Sequence, residues 1–278
     1  SAEENTFVGS QSGFANSTGI GNAFLGFKSG FSNTASYNTF SGYECGIANN
    51  SGQYNAFYGY QTGLGVTQGS NNTLLGSRSG QSITYQVDNT FVGSQAGKNN
   101  FGAANTFLGT RSGYSNTSAE RNTYIGFEAG YSGTNTGFNT MVGYQAGRAN
   151  TSVGNVFIGD WAGYSNLSGA ENTFSGISSG RTNTTGSSNS FYGAGSGYLN
   201  TTGQGNSFFG SFAGNGNTTS TRNSFFGCIA GQGPSIGDDN SSLGYAAGQF
   251  DNGARNTYLG SQAASSSINS SDNVAVGY

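Results

Sequence analysis

Hydrophobic and polar residues recur along this chain with a period of 16 or 17 residues. Each repeat opens with asparagine, which we number position 1, and usually continues with a small hydroxyl residue, a large apolar residue and a second apolar residue. Glycine follows at position 5 and, with one exception, at position 9. The opening asparagines are Asn5, Asn22, Asn38, Asn55, Asn72, Asn89, Asn105, Asn122, Asn139, Asn155, Asn172, Asn189, Asn206, Asn223, Asn240, Asn256 and Asn273. Recurrence of this kind indicates a repeat architecture.

The length of the unit decides which repeat architecture is expected. Sixteen or 17 residues are too few for a pair of helices, and the glycines disfavour even one helix. Positions 1 to 4 predict a short strand, and the glycines and polar residues predict turns and a return segment. We therefore predict an all-β, single-stack β-solenoid of about 17 coils, with residues 1–278 as one continuous domain. Coils stacked at the strand spacing of about 4.8 Å would extend over roughly 75 Å.

Position 3 is the predicted core of the solenoid. Alternation in a strand sends position 3 to one face and positions 2 and 4 to the other. Position 3 is large in fifteen of the seventeen units and position 8 is always small, so the two together can fill a thin interior. A buried Phe contributes about 2 to 3 kcal/mol, although no coil is expected to fold alone. The predicted core ladder is Phe7, Phe24, Phe40, Phe57, Phe91, Phe107, Phe157, Phe174, Phe191, Phe208 and Phe225.

Position 4 forms a second apolar ladder, and a thin coil cannot bury both. An exposed apolar line far longer than soluble monomers usually carry indicates a partner surface. The simplest partner for a repeated surface is another copy of the chain, in a parallel homo-oligomer or an end-to-end filament. The predicted self-association ladder includes Val8, Leu25, Leu75, Val92, Leu108, Ile125, Val142, Ile158, Phe209 and Phe226.

Coils ten to fifteen depart from the pattern. Position 7 is polar or charged in the first nine coils and then includes Trp161, Phe212 and Ile229, while position 4 grows to residues such as Tyr192. These four residues are a candidate binding patch for a ligand or receptor. The favoured interpretation of the same change is tighter packing against a sister chain or a flanking domain.

Two further patterns predict other ligands. Position 2 carries nine Thr and four Ser, a hydroxyl ladder of the kind that ice-binding solenoids display, although bulky residues at position 4 interrupt a flat plane. Aromatic residues at position 10 predict carbohydrate recognition by a fibre shaft. They include Phe14, Phe31, Tyr114, Tyr131, Tyr164 and Tyr198.

A second series of asparagines, near position 12, matches the N-glycosylation sequence Asn-x-Ser/Thr. Turn composition alone produces the same sequence, so both a modified and an unmodified series remain open. The candidate acceptors are Asn16, Asn116, Asn150, Asn166, Asn183, Asn200 and Asn217.

Composition excludes several classes of function. The chain has 50 glycines, no histidine and 8% charged residues. Without histidine neither a Ser-His-Asp triad nor a Cys-His pair can form, and the commonest metal ligand is missing. We therefore predict a non-enzymatic protein with no catalytic site, cofactor or metal. Cys45 and Cys228 are far apart in sequence, so no disulfide between them is expected in one solenoid.

A net charge of −3 provides no electrostatic footprint for nucleic acid or an anionic membrane surface. No apolar stretch is long enough to predict membrane insertion. The expected partners are therefore the chain itself and, beyond that, a surface glycan or a receptor. The predicted location is extracellular, at the cell surface. Residues Ser1 to Glu4 do not resemble a signal peptide, so we expect that any secretion signal has been removed.

The unit N-T-F-V-G-x-x-A-G resembles the repeats of bacterial trimeric fibre proteins, including tail-fibre-type surface proteins. It is also similar to the N-S-V-A-I-G-x-x-A coils of trimeric autotransporter adhesin heads. The likeness extends from Asn5 to Tyr278 and implies parallel trimers, surface display and attachment. The period here is longer than in those adhesin coils, and one residue fewer separates asparagine from glycine. Plant ice-binding rolls with N-x-V-x-G coils share that asparagine-to-glycine spacing.

Overall fold

A computed structural model describes residues 3–134, 137–234, 236–266 and 270–278. Within these ranges the regular elements are seventeen strands of three residues each, and none is helical. Each strand occupies positions 2 to 4 of one coil, which confirms the predicted β-solenoid with a period of 16 or 17 residues. The chain divides into two compact units, Ser1–Phe138 and Asn139–Tyr278.

The first unit contains eight parallel strands that pair in sequence order. Pairing joins equivalent positions of successive coils, so that Phe7 lies beside Phe24 and Phe24 beside Phe40. The strands are β1 (Thr6–Val8), β2 (Ala23–Leu25), β3 (Thr39–Ser41), β4 (Ala56–Tyr58), β5 (Thr73–Leu75), β6 (Thr90–Val92), β7 (Thr106–Leu108) and β8 (Thr123–Ile125). A parallel register of this kind converts each repeat position into a continuous ladder.

The second unit repeats the arrangement with nine parallel strands. These are β9 (Thr140–Val142), β10 (Val156–Ile158), β11 (Thr173–Ser175), β12 (Ser190–Tyr192), β13 (Ser207–Phe209), β14 (Ser224–Phe226), β15 (Ser241–Leu243), β16 (Thr257–Leu259) and β17 (Val274–Val276). The register again matches position with position, for example Phe191 with Phe208.

The interior of most coils is one aromatic ring thick. Every phenylalanine of the predicted core ladder is buried except Phe7, which is half-buried. Neighbouring rings lie parallel, with centroids 4.8 Å apart for Phe174 and Phe191 and 4.7 Å for Phe191 and Phe208. The small residues of position 8 complete this layer, because a hydroxyl such as Ser179 Oγ donates to the carbonyl of Phe191, 3.2 Å away.

Two buried asparagine ladders flank the rings. At position 1 the amide N–H of Asn172 donates to Asn155 Oδ1 at 2.9 Å, and Asn172 Nδ2 donates to the carbonyl of Gly186 at 2.8 Å. At position 12, Asn200 Nδ2 donates to Asn183 Oδ1 at 2.7 Å. These side chains satisfy backbone groups that the thin interior would otherwise leave unpaired. Asparagine is therefore part of the core in this fold.

Position 5 requires glycine for two reasons. Gly9 has a φ of +126°, where side chains are rarely tolerated. A Cβ atom added there would also lie 2.6 Å from the carbonyl oxygen of Gly26 in the next coil. Position 7 is also left-handed but is seldom glycine, as at Ile229 with a φ of +54°. A β-branched residue in that region is an outlier, so the stacked backbone imposes the conformation.

One pair of coils in the second unit compensates for a missing ring. Ser242 replaces the phenylalanine of coil fifteen, and the ring of Tyr258 from coil sixteen leans towards the space, since a Cβ added at Gly248 would meet it at 2.6 Å. The hydroxyl of Tyr258 donates to the buried carboxylate of Asp251 at 2.9 Å. Coil sixteen is also the one in which Ala264 takes the place of the position 9 glycine.

Candidate functional site

Positions 2 and 4 point to solvent on the strands of each unit, and we name this surface the outer strand face. Leu25 is 53% exposed, whereas Phe24, one residue earlier, is 1% exposed. The same contrast separates Ile158, 43% exposed, from Phe157. Of the predicted self-association ladder, six residues are exposed: Val8, Leu25, Leu75, Leu108, Ile158 and Phe226. Four are half-buried: Val92, Ile125, Val142 and Phe209.

The outer strand face is long and largely apolar in each unit. Seven steps between the eight strands of the first unit span roughly 34 Å at the usual strand spacing. Apolar side chains occupy position 4 along this length except at Ser41. A soluble monomer seldom exposes a contiguous apolar line of this length, so the face is a candidate interface.

Each unit has a shallow apolar groove between the side chains of neighbouring strands. In the first unit the groove lies at Ser41 and is lined by Val8, Leu25 and Tyr58. In the second unit a similar groove is lined by Phe226, Leu243 and Leu259. Both grooves open on the outer strand face, where each offers a recess for an apolar side chain of a partner.

Aromatic residues on the outside stack on each other along the coils. Tyr192 and Phe209 are 4.7 Å apart between ring centroids, and Phe209 and Phe226 are 4.8 Å apart, all nearly parallel. At position 10, Tyr114 and Tyr131 stack in the same way at 5.0 Å. Stacked rings cover each other's faces and present their edges to solvent. A neutral sugar that must lie flat on a ring face finds little free face on these ladders.

The hydroxyl ladder of position 2 lies on the same outer strand face. Thr73, Thr90 and Thr106 are exposed and stand beside one another in register. The taller side chains of position 4, such as Leu75 and Leu108, run parallel to them. The surface is therefore a row of hydroxyls beside a ridge of apolar groups.

The candidate binding patch is divided between two ladders. Tyr192 belongs to the outer strand face, where it stacks on Phe209. Trp161, Phe212 and Ile229 lie at position 7, in the turn after the strand. Phe212 is exposed and lies over Gly195 of the preceding coil, since a Cβ added to that glycine would meet the ring at 2.7 Å.

The candidate glycosylation series lies inside the solenoid. Asn116, Asn150, Asn166, Asn183, Asn200 and Asn217 are 0% exposed, and Asn16 is half-buried. In Asn166 the amide nitrogen that would carry a glycan already donates to Asn150 Oδ1 at 2.5 Å and to the Gly169 carbonyl at 2.8 Å. Attachment would require this nitrogen to leave the core, so the folded structure argues against modification of this series.

Ion pairs join the last residues of coils in the second unit. Arg222 Nε lies 2.6 Å from Asp239 Oδ1, and Arg255 Nε lies 2.6 Å from Asp272 Oδ1. A second N–H of each guanidinium reaches the other carboxylate oxygen at 2.8 Å. These hydrogen bonds lower the pKa of Asp239 and Asp272. Each is a two-point contact across one coil step.

The two cysteines differ in environment. Cys45 is buried at position 8, its thiol lies 3.3 Å from the carbonyl oxygen of Phe57, and burial raises its pKa to about 12. Cys228 is an exposed free thiol.

Within the described ranges no group of three His, Cys, Asp or Glu residues is placed to hold a metal ion. The same ranges contain no helix of the length and hydrophobicity needed to cross a bilayer.

Sequence reasoning missed one cluster, in which the guanidinium of Arg181 lies among three aromatic rings. The sequence feature that could have indicated this cluster is the alternation of arginine with tyrosine at position 10 across successive coils.

Searches against protein-family models and curated proteins give no match for this chain.

Proposed function

We propose that this chain is a non-enzymatic structural segment of an extracellular fibre or adhesin that self-associates through its outer strand face. The observation that supports this most directly is the contrast within each strand. Position 3 is mostly apolar and buried, whereas position 4 is also mostly apolar but stays exposed or half-buried in coil after coil. A repeat that keeps apolar residues outward in this way is typical of a surface that is covered in the assembled state.

The energetics favour association through many coils at once. Burying the exposed half of a leucine or isoleucine contributes about 1 kcal/mol. Association costs about 4 to 15 kcal/mol in lost translational and rotational freedom and in ordering. One coil cannot offset that cost, but six or more coils in register approach it. Identical spacing of the ladder in every copy makes a second copy of the chain the partner with matching geometry.

Surface display and attachment are supported by the resemblance to bacterial trimeric fibre repeats. The proposal includes parallel packing of the copies, because coils with the same register can then meet position for position.

Sedimentation equilibrium over a range of concentrations tests this proposal. We expect a mass of two or more chains of 28.4 kDa at micromolar concentration. A single-chain mass at every concentration would overturn it.

Disulfide cross-linking of a Thr106→Cys variant then reports the orientation of the copies, because the side chain of Thr106 is exposed on the outer strand face. The variant also carries Cys228→Ser, which removes the native exposed thiol. Parallel, in-register packing predicts a disulfide between the substituted residues of two neighbouring copies. Association without this cross-link would argue against the parallel arrangement.

Ice binding is a second candidate, favoured by the in-register hydroxyls of position 2. Its surface would be the same outer strand face, used by a single chain and not by a pair. A thermal-hysteresis assay on the purified chain decides it. Ice shaping that is lost in Thr90→Tyr, with the buried Phe91 untouched, would favour ice binding over self-association.

A further inference from the structure

The second unit carries an alternation of arginine and tyrosine at position 10 of four successive coils. We name Arg148, Tyr164, Arg181 and Tyr198 the arginine–tyrosine ladder. Position 10 is separate from the outer strand face, so an inference about this ladder does not rest on self-association. Across the sequence, position 10 carries three cations, the third being Lys98, and no carboxylate.

The guanidinium of Arg181 is held among aromatic rings. Its Cζ lies 5.8 Å from the ring centroid of Tyr198, 6.0 Å from that of Tyr164 and 5.4 Å from that of Trp161. Nη1 also donates to the hydroxyl of Tyr198 at 3.0 Å. Cation–π contact and a hydrogen bond together fix the planar group in one position.

The surrounding rings are themselves oriented. Trp161 Nε1 donates to Gln145 Oε1 at 3.1 Å, and Tyr144 meets the indole edge-on at 5.5 Å between centroids. Arg181 therefore rests on a tryptophan whose own orientation is fixed by the preceding coil. A ligand that binds Arg181 loses less side-chain entropy than one that binds a free surface arginine.

Arg181, which is half-buried, differs from three exposed arginines that pair with a carboxylate. Arg111, Arg222 and Arg255 each pair with an acid one coil away. In the part of the chain that the structure describes, no salt bridge reaches Arg181. A guanidinium has five N–H donors, and the hydrogen bond to Tyr198 uses one. The remaining donors lie in a half-buried group and suit a planar anion.

We propose that the arginine–tyrosine ladder binds an acidic polysaccharide, with Arg181 as the main contact for its carboxylate or sulfate groups. Arg148 stands two coils from Arg181, roughly 10 Å at the strand spacing, so a linear polymer with repeated anionic groups can meet both. The phenol hydroxyls of Tyr164 and Tyr198 can hydrogen-bond to sugar hydroxyls. This mode uses ring edges and phenol O–H groups, since the Tyr198 hydroxyl accepts a hydrogen bond from Arg181 and keeps its own proton to donate.

Nucleic acid fits the same ladder less well. Single-stranded nucleic acid binds through bases that stack on open aromatic faces and through a continuous basic groove. Here Arg181 covers the faces of Tyr164 and Tyr198 that turn towards it. The whole chain also has a net charge of −3, which disfavours a polyphosphate backbone.

Calorimetric titration of the full chain tests the proposal with four probes: alginate for carboxylate, dextran sulfate for sulfate, neutral dextran, and a single-stranded DNA oligonucleotide. We expect binding of alginate, dextran sulfate or both, and none of dextran. Arg181→Gln should weaken that binding about tenfold, and Tyr198→Phe about threefold. Arg181→Lys keeps the charge without the planar fork and should fall between wild type and Arg181→Gln.

The matched control is Arg222→Gln, which removes an exposed arginine already paired with Asp239. It should leave polysaccharide affinity unchanged, and circular dichroism should show that all variants remain folded. Which polymer binds identifies the anionic group. Equal affinity for neutral dextran, tighter binding of DNA, or equal losses in Arg181→Gln and Arg222→Gln would each overturn the proposal.

Discussion

The position 3 ladder and the position 4 ladder occupy adjacent residues in every strand, yet the first faces the interior and the second faces solvent. Phe107 is fully buried between the rings of Phe91 and Tyr124, whereas Leu108 is 45% exposed. Both residues are apolar, and hydrophobicity alone would bury either one. The alternation of the strand decides between them, since only one of two adjacent side chains can face a thin interior.

This difference separates residues that stabilise the fold from residues on the surface that are available for other roles. The interior ladder repeats with few changes because each ring must match the rings above and below. The outer ladder keeps its apolar character while its size varies from Ser41 to Phe226. Such variation is tolerated by the coil, so the persistence of apolar residues there needs a cause outside the coil.

Truncation of the two ladders gives the largest expected difference. Phe107→Ala should lower the free energy of unfolding by about 3 to 5 kcal/mol, as expected when a large buried ring is removed. Leu108→Ala, one residue later, should cost under about 1 kcal/mol in the dissociated chain, because the side chain is half exposed. Urea unfolding at low protein concentration measures both. Equal losses would contradict the assignment of inner and outer faces.

The asparagine ladders extend the comparison to polar residues. Asn189→Ala should cost about 1 to 3 kcal/mol, since the amide N–H of Asn206 and the carbonyl of Gly203 would be left buried without their partner. The matched substitution is Asn71→Ala, at an exposed asparagine that contacts Asp88. Thermal unfolding should separate the two variants by several degrees. A smaller effect at Asn189 than at Asn71 would argue against a structural role for the ladder.

The substituted coil near the end of the second unit offers a comparable test. Tyr258→Phe should cost about 1 to 2 kcal/mol, because Asp251 loses a donor inside the core. The control Tyr245→Phe removes a hydroxyl from a 51% exposed ring and should be neutral. Desolvation and Asp251 raise the pKa of Tyr258 to about 12. Its contribution is therefore present below pH 10 and lost as pH rises towards 12; absorbance titration of tyrosinate should show this late ionisation.

The smallest expected effect is that of the exposed ion pairs. The pKa of Asp239 is lowered below its usual value near 3.8, chiefly by the hydrogen bond from Arg222. Stability from this pair is therefore present above pH 4 and lost as pH falls through the folded-state pKa. Exposed pairs contribute little, and salt screens them. Asp239→Asn should slightly reduce the fall in thermal stability between pH 5 and pH 2; an unchanged profile would leave the pair with no role in stability.

Much of this fold could be predicted from spacing alone. Asn5 to Asn273 set the coil length, and the T-F-V triplets set the strands and the two faces. The burial of Asn200 and its neighbours was not predictable from the glycosylation pattern, since that pattern does not depend on the direction of a side chain. The left-handed conformation of Ile229 was equally hidden, because it is imposed by the stacked backbone and contradicts the preference of the residue.

The candidate surfaces were predictable in part. Strand alternation predicts that Leu25 and Ile158 face outward, and both are exposed. The grouping of Trp161 with Tyr192 was drawn from sequence proximity, whereas the coil geometry places them on different ladders. The contacts of Arg181 could not be predicted from the sequence. They join residues of three coils and depend on side-chain directions that the repeat pattern does not specify.

The central claim, that the outer strand face joins copies of the chain, is tested most directly by placing charge on it. Leu108→Lys with Ile158→Lys alters one position 4 residue in each unit and leaves Phe107 and Phe157 in the core. Sedimentation equilibrium should show the wild-type chain as an oligomer and the double variant as a single chain of about 28.4 kDa with its circular dichroism unchanged. An oligomer of the same mass and stability in the double variant would contradict the account.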